Sequence, residues 1–230
     1  MKNQLIVALD TDKLSLAEEL VDKLSPVVGI FKVGSQLFTA VGPEVIERIQ
    51  RKGAQVFLDL KFHDIPNTVS HAVAAACRFN PAMLTVHTLG GSQMLRAAKE
   101  ARDHIGADTL LLGVTILTSL DKGQLEEIGL AASVNEEVLC LAQMAQGVGL
   151  DGVIASPQEV ALLRQSLGGD FIIITPGIRP QGPMGDDQRR TMQAREAILA
   201  GANYLVVGRP VTQAEDPLGA AKTLLAQINV

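Results

Sequence analysis

The chain has 230 residues, enough for one large domain, and its composition of 47% hydrophobic and 20% charged residues is typical of a globular protein. A net charge of −5 and an aromatic content of 3% argue against nucleic acid, which is bound by clustered cations and stacking rings. No signal peptide precedes the first apolar run, and no run approaches the roughly 20 apolar residues of a membrane span. We therefore expect a cytoplasmic protein that binds neither nucleic acid nor a membrane.

Short apolar runs alternate with longer segments of helical periodicity along the chain. The predicted strands are residues 5–9, 30–33, 56–60, 83–86, 110–116, 152–155, 171–175 and 204–207. The predicted helices are residues 16–24, 43–51, 69–79, 92–102, 138–147, 158–166, 194–200 and 217–228. Continuous apolar runs are typical of parallel strands that are buried on both faces. The eight repeats predict an α/β fold, a single-domain (β/α)8 TIM barrel over residues 1–230. A doubly wound open sheet is the alternative, but the first predicted turn lacks the glycines of that class.

Polar residues stand at or just beyond the ends of the predicted strands. They are Asp10, Lys32, Asp59, Lys61, His87, Thr118, Ser156, Gly208 and Arg209. The C-terminal ends of the strands form the active-site face of a barrel. Any one of these residues could be an ordinary solvated loop residue, but together they predict a mixed-charge network at one mouth.

The segment 59–68, DLKFHDIPNT, carries the strongest signal for chemistry. Asp59 and Lys61 are two positions apart on a predicted strand, so their side chains should point to the same face. Lys32, on the neighbouring strand, should reach the same charges, and Asp64 follows in the loop. Flanking carboxylates keep a lysine protonated, which suits a general acid better than a Schiff-base lysine and leaves little room for a metal ion. A structural ion-pair cluster is the alternative, although buried ion pairs are poor stability devices.

The last two strands predict a site for a phosphate group. Arg179 and Gln181 follow the seventh predicted strand, and Gly208 and Arg209 follow the eighth. The loops after these two strands commonly bind phosphate in barrels, through exposed backbone N–H groups and bidentate arginine. The segment 177–190, GIRPQGPMGDDQRR, lacks periodicity, and a loop of this kind is often a functional lid.

These residues together resemble the orotidine 5'-phosphate decarboxylase family, over essentially the whole chain. The most specific match is the pattern Asp-x-Lys-x-x-Asp-Ile-Pro-x-Thr from Asp59 to Thr68. TPGIRP at residues 175–180, GDDQRR at 185–190 and VGRPVT at 207–212 agree with the bacterial form. The resemblance implies conversion of orotidine 5'-monophosphate to UMP and CO2, the last step of UMP synthesis, with no metal and no organic cofactor.

The resemblance also implies roles for the matching residues. Lys61 would donate the proton that replaces CO2 at C6 of the pyrimidine, and Asp59 would lie beside the departing carboxylate. Lys32 would hold Asp59 and one ribose hydroxyl, and Asp10 would bind another ribose hydroxyl. The remaining substrate contacts would be Thr118 and Ser156 at the pyrimidine, Arg179, Gln181, Gly208 and Arg209 at the phosphate, and Gln188 in the closing loop.

The same resemblance implies a homodimer with shared sites, because Asp64 and Thr68 would reach into the neighbouring subunit's site. Related barrels that act on phosphosugars, such as keto-gulonate phosphate decarboxylase and pentose phosphate epimerase, remain the nearest alternative, and they use a divalent metal. A catalytically inactive nucleotide sensor is the alternative of another class. The sequence assigns no chemistry to His63 or His87.

Overall fold

Eight parallel strands close into a barrel in the computed structural model, which describes residues 4–179 and 190–228. The strands are β1 Leu5–Ala8, β2 Ile30–Gly34, β3 Gln55–Phe62, β4 Met83–His87, β5 Leu110–Val114, β6 Gly152–Ile154, β7 Ile172–Thr175 and β8 Tyr204–Val207. Each strand pairs with the next in the sequence, and β8 pairs with β1 through Leu5 and Leu205. The predicted (β/α)8 barrel is therefore confirmed.

Helices follow the strands and surround the barrel. They are α1 Leu14–Leu24, α2 Ser35–Val41, α3 Glu44–Arg51, α4 Pro66–Cys77, α5 Gly91–Ile105, α6 Lys122–Glu127, α7 Val134–Gly147, α8 Val160–Leu167, α9 Ala194–Leu199, α10 Arg209–Thr212 and α11 Pro217–Ile228. The short helices α2, α6 and α10 were not predicted, because periodicity is a weak signal over seven residues or fewer, although the equally short α9 was predicted at residues 194–200. In the described part of the chain, none of the helices has the length and apolarity needed to cross a bilayer.

The strands are buried on both faces, as their continuous apolar sequences predicted. One set of side chains fills the barrel interior: Ile6, Ala8, Ile30, Phe57, Met83, Leu112, Ile174 and Val206. The alternating residues of the same strands, such as Leu5, Val7 and Leu205, pack outward against the helices. Because side chains alternate across a strand, one apolar run supplies both cores and leaves only the strand ends for polar groups.

Strand β3 is irregular where the charged residues stand. Its pairing with β4 joins Leu58 to Leu84 and then Phe62 to Val86, so four steps along β3 match two along β4. Lys61 lies within this bulge and has a φ of 52°. The side chains of Asp59 and Lys61 do converge. They do so at a bulge, and not because a regular strand places both residues on one face as the sequence predicted. Bulges of this kind occur next to active sites, where they redirect a side chain.

Candidate active site

A cavity of about 530 Å³ opens at the C-terminal ends of the strands. This volume lies within the range of pockets that hold small molecules. Four of the predicted charged residues line it: Asp10, Lys32, Asp59 and Lys61. Four of the predicted substrate-binding residues line it as well: Thr118, Arg179, Gly208 and Arg209. The structure thus brings together, at the predicted face, residues that are up to about 200 positions apart in the sequence.

The charged side chains form an alternating row across the mouth. Lys61 Nζ lies 2.8 Å from Asp59 Oδ2, and Lys32 Nζ lies 3.7 Å from the same oxygen. Lys32 Nζ also donates a hydrogen bond to Asp10 Oδ1 at 3.2 Å. The Asp59 side chain is 11% exposed and that of Lys61 is 36% exposed. The row therefore runs from a buried carboxylate to an ammonium group that faces the cavity.

Thr85 on β4 supports the buried end of this row. Its hydroxyl donates to Asp59 Oδ1 at 3.0 Å and accepts a hydrogen bond from the backbone N–H of Lys61 at 2.9 Å. A single side chain thus holds both members of the Asp59–Lys61 pair. Sequence reasoning missed Thr85, although a threonine inside the apolar strand MLTVH is a signal, because a buried hydroxyl needs a partner.

Asp59 remains ionised despite its burial. Desolvation alone would raise the pKa of this carboxyl group. The positive charges of Lys32 and Lys61, with hydrogen bonds from Lys61 and Thr85, outweigh desolvation and lower the pKa below its ordinary value. A buried carboxylate that stays charged supplies a fixed negative field at the base of the cavity.

The backbone at Lys61 is strained, because it adopts a conformation that glycine adopts without a steric penalty. A φ of 52° places a non-glycine residue in the left-handed region, where Cβ approaches the carbonyl oxygen. Strain of this kind is found at functional sites when the surrounding structure enforces it. Here the enforcing contact is the hydrogen bond from Lys61 N–H to Thr85.

We expect Lys61→Gly to be more stable than Lys61→Ala by about 1 kcal/mol, because only alanine retains the left-handed strain. Both variants lose the same ion pair, so their difference isolates the backbone. Urea unfolding of the two proteins measures it. The matched control is Lys23→Gly against Lys23→Ala on the exposed face of α1, where the order should reverse because glycine weakens a helix. Alanine being the more stable residue at both positions would contradict the assignment of strain.

The segments after β7 and β8 present arginine and backbone groups to the cavity. Arg179 is 4% exposed and follows β7, and its Nη1 donates to the carbonyl oxygen of Ile178 at 2.9 Å. Gly177 has a φ of 79°, so a turn that favours glycine leads into this arginine. At Gly208 a Cβ atom would lie 3.2 Å from Asp10 Oδ2, so glycine leaves room for the carboxylate. Arg209 follows as the first residue of α10.

Three other predicted site residues that the structure describes do not line the cavity. Asp64 and Thr68 are exposed and do not line the cavity, and Asp64 Oδ1 instead accepts a hydrogen bond from Ile65 N at 2.6 Å. Ser156 is fully buried behind the wall and likewise does not line the cavity. Gln181 and Gln188 fall outside the described residues. In this chain, the row of charges is therefore built from Asp10 to Lys61 without Asp64.

The two histidines that sequence reasoning left unassigned stack on each other beside the mouth. The ring centroids of His63 and His87 are 5.3 Å apart, with an angle of 21° between the rings. Burial lowers the pKa of His87 to about 4, and electrostatic interactions with His63 and Lys61 act in the same direction. His87 is therefore neutral near pH 7 and adds no further cation beside Lys32 and Lys61.

Two glutamines that line the cavity were also missed by the sequence analysis. Gln36 stands in the first turn of α2, and Gln213 follows α10. Neither helix was predicted, so no pattern pointed to these positions. In residues 4–179 and 190–228, His, Cys, Asp and Glu side chains form no group of three or more that could hold a metal ion.

The fold and the site define a (β/α)8-barrel enzyme whose mouth combines an aspartate–lysine row with an arginine-rich side. The family model described as orotidine 5'-phosphate decarboxylase / HUMPS family matches residues 3–224. The chain belongs to this family.

Individual relatives match this chain over nearly their full length. A protein of Syntrophotalea carbinolica named orotidine 5'-phosphate decarboxylase is 50% identical over 99% of this chain and 95% of its own. One of the same name from Moorella thermoacetica is 47% identical over 100% and 93%. A crystal structure of orotidine 5'-phosphate decarboxylase from Lactobacillus acidophilus has a TM-score of 0.87 at 38% identity, covering 99% of this chain and 100% of that one.

Proposed function

We propose that this protein decarboxylates orotidine 5'-monophosphate to UMP and CO2, with Lys61 as the proton donor. The observation that carries the proposal is the Lys61 ammonium group, 2.8 Å from the buried Asp59 carboxylate and facing a cavity whose other side holds arginine. The names of the relatives support the same substrate. A nucleotide monophosphate fits this arrangement, with its base at the lysine and its phosphate at Arg179 and Arg209.

The reaction breaks the bond between C6 and the carboxyl carbon. The electron pair of that bond stays on C6 as CO2 departs, and the ring has no group placed to absorb it. A preorganised ammonium group stabilises such charge strongly in a cavity with little water. Lys61 then transfers its proton to C6, which yields UMP, and recovers a proton from solvent. Asp59 lies beside the departing carboxylate and orients the Lys61 ammonium group, whose proton replaces CO2 at C6.

The remaining side chains bind and orient the substrate. Lys32 and Asp10, joined at 3.2 Å, hold the ribose hydroxyls, and their opposite charges allow one to donate and the other to accept. Thr118 contacts the pyrimidine from the loop after β5, and Ser156 supports that side from behind the wall. Arg179, Gly208 and Arg209 bind the phosphate, together with Gln181 and Gln188. Binding energy gained at the phosphate can lower the barrier at C6 when it assembles the site around the base.

Turnover of the substrate itself tests the proposal. The ultraviolet absorbance of orotidine 5'-monophosphate should change within minutes of adding the purified protein, and UMP should accumulate in equal amount. Added EDTA should leave the rate unchanged. A rate abolished by EDTA and restored by a divalent metal would favour a metal-dependent phosphosugar enzyme of the same family. Binding of the nucleotide without turnover would indicate a sensor.

We further propose that the active form is a homodimer in which Asp64 and Thr68 complete the neighbouring subunit's site. Both side chains are exposed at the rim beside Ile65, which is 65% exposed, so one subunit leaves polar and apolar groups available to another. Exposed apolar residues rimmed by polar ones are typical of protein interfaces.

Shared sites predict complementation between two inactive variants. Lys61→Ala and Asp64→Ala should each be nearly inactive, yet a mixture refolded together at equal concentration should recover about a quarter of wild-type activity, because half of the dimers are hybrids with one intact site. Steady-state turnover measures the recovery, and mixing the two proteins without refolding is the control. No recovery in a mixture shown to contain hybrid dimers would exclude a shared site.

A further inference from the structure

A buried ion pair lies behind the cavity wall and has no part in the mechanism described so far. Glu159, which precedes α8, is 1% exposed, and Arg190 is 9% exposed. Arg190 Nη1 donates to Glu159 Oε1 at 2.5 Å. Neither residue lines the cavity, so neither can touch a substrate held there.

This ion pair joins the loops after three different strands. The second carboxylate oxygen of Glu159 accepts a hydrogen bond from the backbone N–H of Ser156, just after β6, at 2.8 Å. Arg190 Nη2 donates to the carbonyl oxygen of Leu117 at 2.9 Å and to that of Ile116 at 3.3 Å, in the loop after β5. Ile116 and Leu117 line the cavity on the side of Thr118.

Arg190 is also close in sequence to a backbone contact that reaches the arginine side of the cavity. Met192 N donates to Gly177 O at 3.3 Å, and Arg179 N donates to Met192 O at 3.0 Å. Gly177 and Arg179 both line the cavity. Hydrogen bonds at Met192 and Arg190, joined by the backbone of residues 190–192, therefore connect Arg179 to Ile116 and Leu117.

Stability alone is a poor explanation for this ion pair. Burial raises the pKa of the Glu159 carboxyl group, and the charge of Arg190 opposes that rise without cancelling it. An apolar pair of similar volume would often stabilise a core as well or better. The planar guanidinium adds direction, because its donors are fixed in a rigid fork that can hold a carboxylate and carbonyl oxygens at once.

We infer that Glu159 and Arg190 are positioning residues that hold the base side and the phosphate side of the cavity at a fixed separation. The inference rests on the proposed function, because it assumes a ligand with a base at one end and a phosphate at the other. The binding of a ligand that occupies both sides depends on how these sides are placed relative to each other. The binding of a ligand that occupies only the base side does not depend on that placement.

Two substrates separate positioning from general destabilisation. With orotidine 5'-monophosphate, Glu159→Gln should lower kcat/KM on the order of 10²-fold, because a misplacement of about 1 Å can cost that much. With orotidine, which lacks the phosphate, kcat/KM should change by less than about threefold, since no second contact is misaligned. Glutamine keeps the volume and can still accept a hydrogen bond from Ser156 N–H through its amide oxygen, but its NH2 group cannot accept from Arg190, so the ion pair is lost.

A second pair of variants covers the case in which Glu159→Gln folds poorly. Arg190→Lys keeps the charge but cannot hold the carboxylate and both carbonyl oxygens together, so it should show the same substrate-dependent loss. Arg195→Lys, at an exposed position of α9, is the matched control and should behave as wild type. On orotidine 5'-monophosphate, the kcat/KM of the double variant Glu159→Gln/Arg190→Lys should be no lower than that of the less active single variant, because both changes disrupt the same ion pair.

Equal losses of kcat/KM on both substrates, or no loss on either, would overturn the inference. Calorimetric titration tests the inference separately from the proposed function, because it measures binding and not turnover. Even without turnover of orotidine 5'-monophosphate, wild type should bind UMP more tightly than uridine, and Glu159→Gln should weaken only UMP binding. If wild type turns over orotidine 5'-monophosphate and the variants have the same kcat/KM as wild type, the inference is refuted and the proposed function still stands.

Discussion

Replacing Lys61 with alanine is expected to remove nearly all decarboxylase activity while the barrel still folds. The variant loses both the proton donor and the charge that stabilises C6, so kcat should fall by at least about 10³-fold. Steady-state assays on orotidine 5'-monophosphate measure the loss, and circular dichroism checks folding. Folding should survive because Lys61 stands at the rim with a side chain that is 36% exposed, outside the apolar core.

The control for this experiment is Lys122→Ala, which removes a lysine whose side chain is 69% exposed on α6. It should retain wild-type kcat, so that a loss at position 61 reflects location rather than net charge. Binding of UMP to Lys61→Ala separates a chemical defect from a collapsed cavity. A variant at position 61 that keeps a tenth of wild-type kcat would refute the role of proton donor.

Removing the phosphate from the substrate should be the second large effect. Orotidine should be converted with a kcat/KM lower on the order of 10³-fold, because two arginine contacts to a charged group contribute about 1.5–3 kcal/mol each. The phosphate is remote from C6, so this loss reports binding energy that is used to assemble the site rather than contact with the reacting carbon. Competition assays with both substrates give the ratio directly.

Arg209→Ala is the matched variant for this prediction. It should lose efficiency on orotidine 5'-monophosphate and leave the low efficiency on orotidine unchanged, because the missing contact involves only the phosphate. Arg51→Ala, in the exposed last turn of α3, controls for the loss of an arginine. Similar kcat/KM values of wild type on the two substrates would contradict a phosphate site at Arg179 and Arg209.

The two sides of the cavity differ in how far their positions could be predicted. Asp10, Lys32, Gly208 and Arg209 follow from strand ends, because a parallel barrel gathers all its C-terminal strand ends at one face. Thr85 and the Glu159–Arg190 pair do not, since their partners are distant in sequence: Asp59 lies on the strand next to that of Thr85, and Glu159 and Arg190 lie in the segments after β6 and β7. A hydrogen bond across 26 or 31 residues leaves no periodic trace in the chain.

Lys61 shows most clearly what could and could not be predicted from the sequence. Its type and its place after an apolar run predicted a charged group at the mouth, and in the structure Lys61 lines the cavity there. The bulge that orients it was not predictable, because a register shift between β3 and β4 depends on how two strands pair, not on either strand alone. The short helices α2, α6 and α10 escaped for a related reason, since tertiary packing rather than local periodicity stabilises so few residues.

By itself, the order of apolar and polar residues determined the barrel and the face that bears the charges, because burial of alternating strands and helices permits few arrangements. Only the tertiary structure decided which oxygen each ammonium group meets, which threonine joins them and which buried pair links the loops. Those contacts depend on distances of a few ångströms between separate strands. The closure of the barrel sets these distances, so no single segment of the chain determines them.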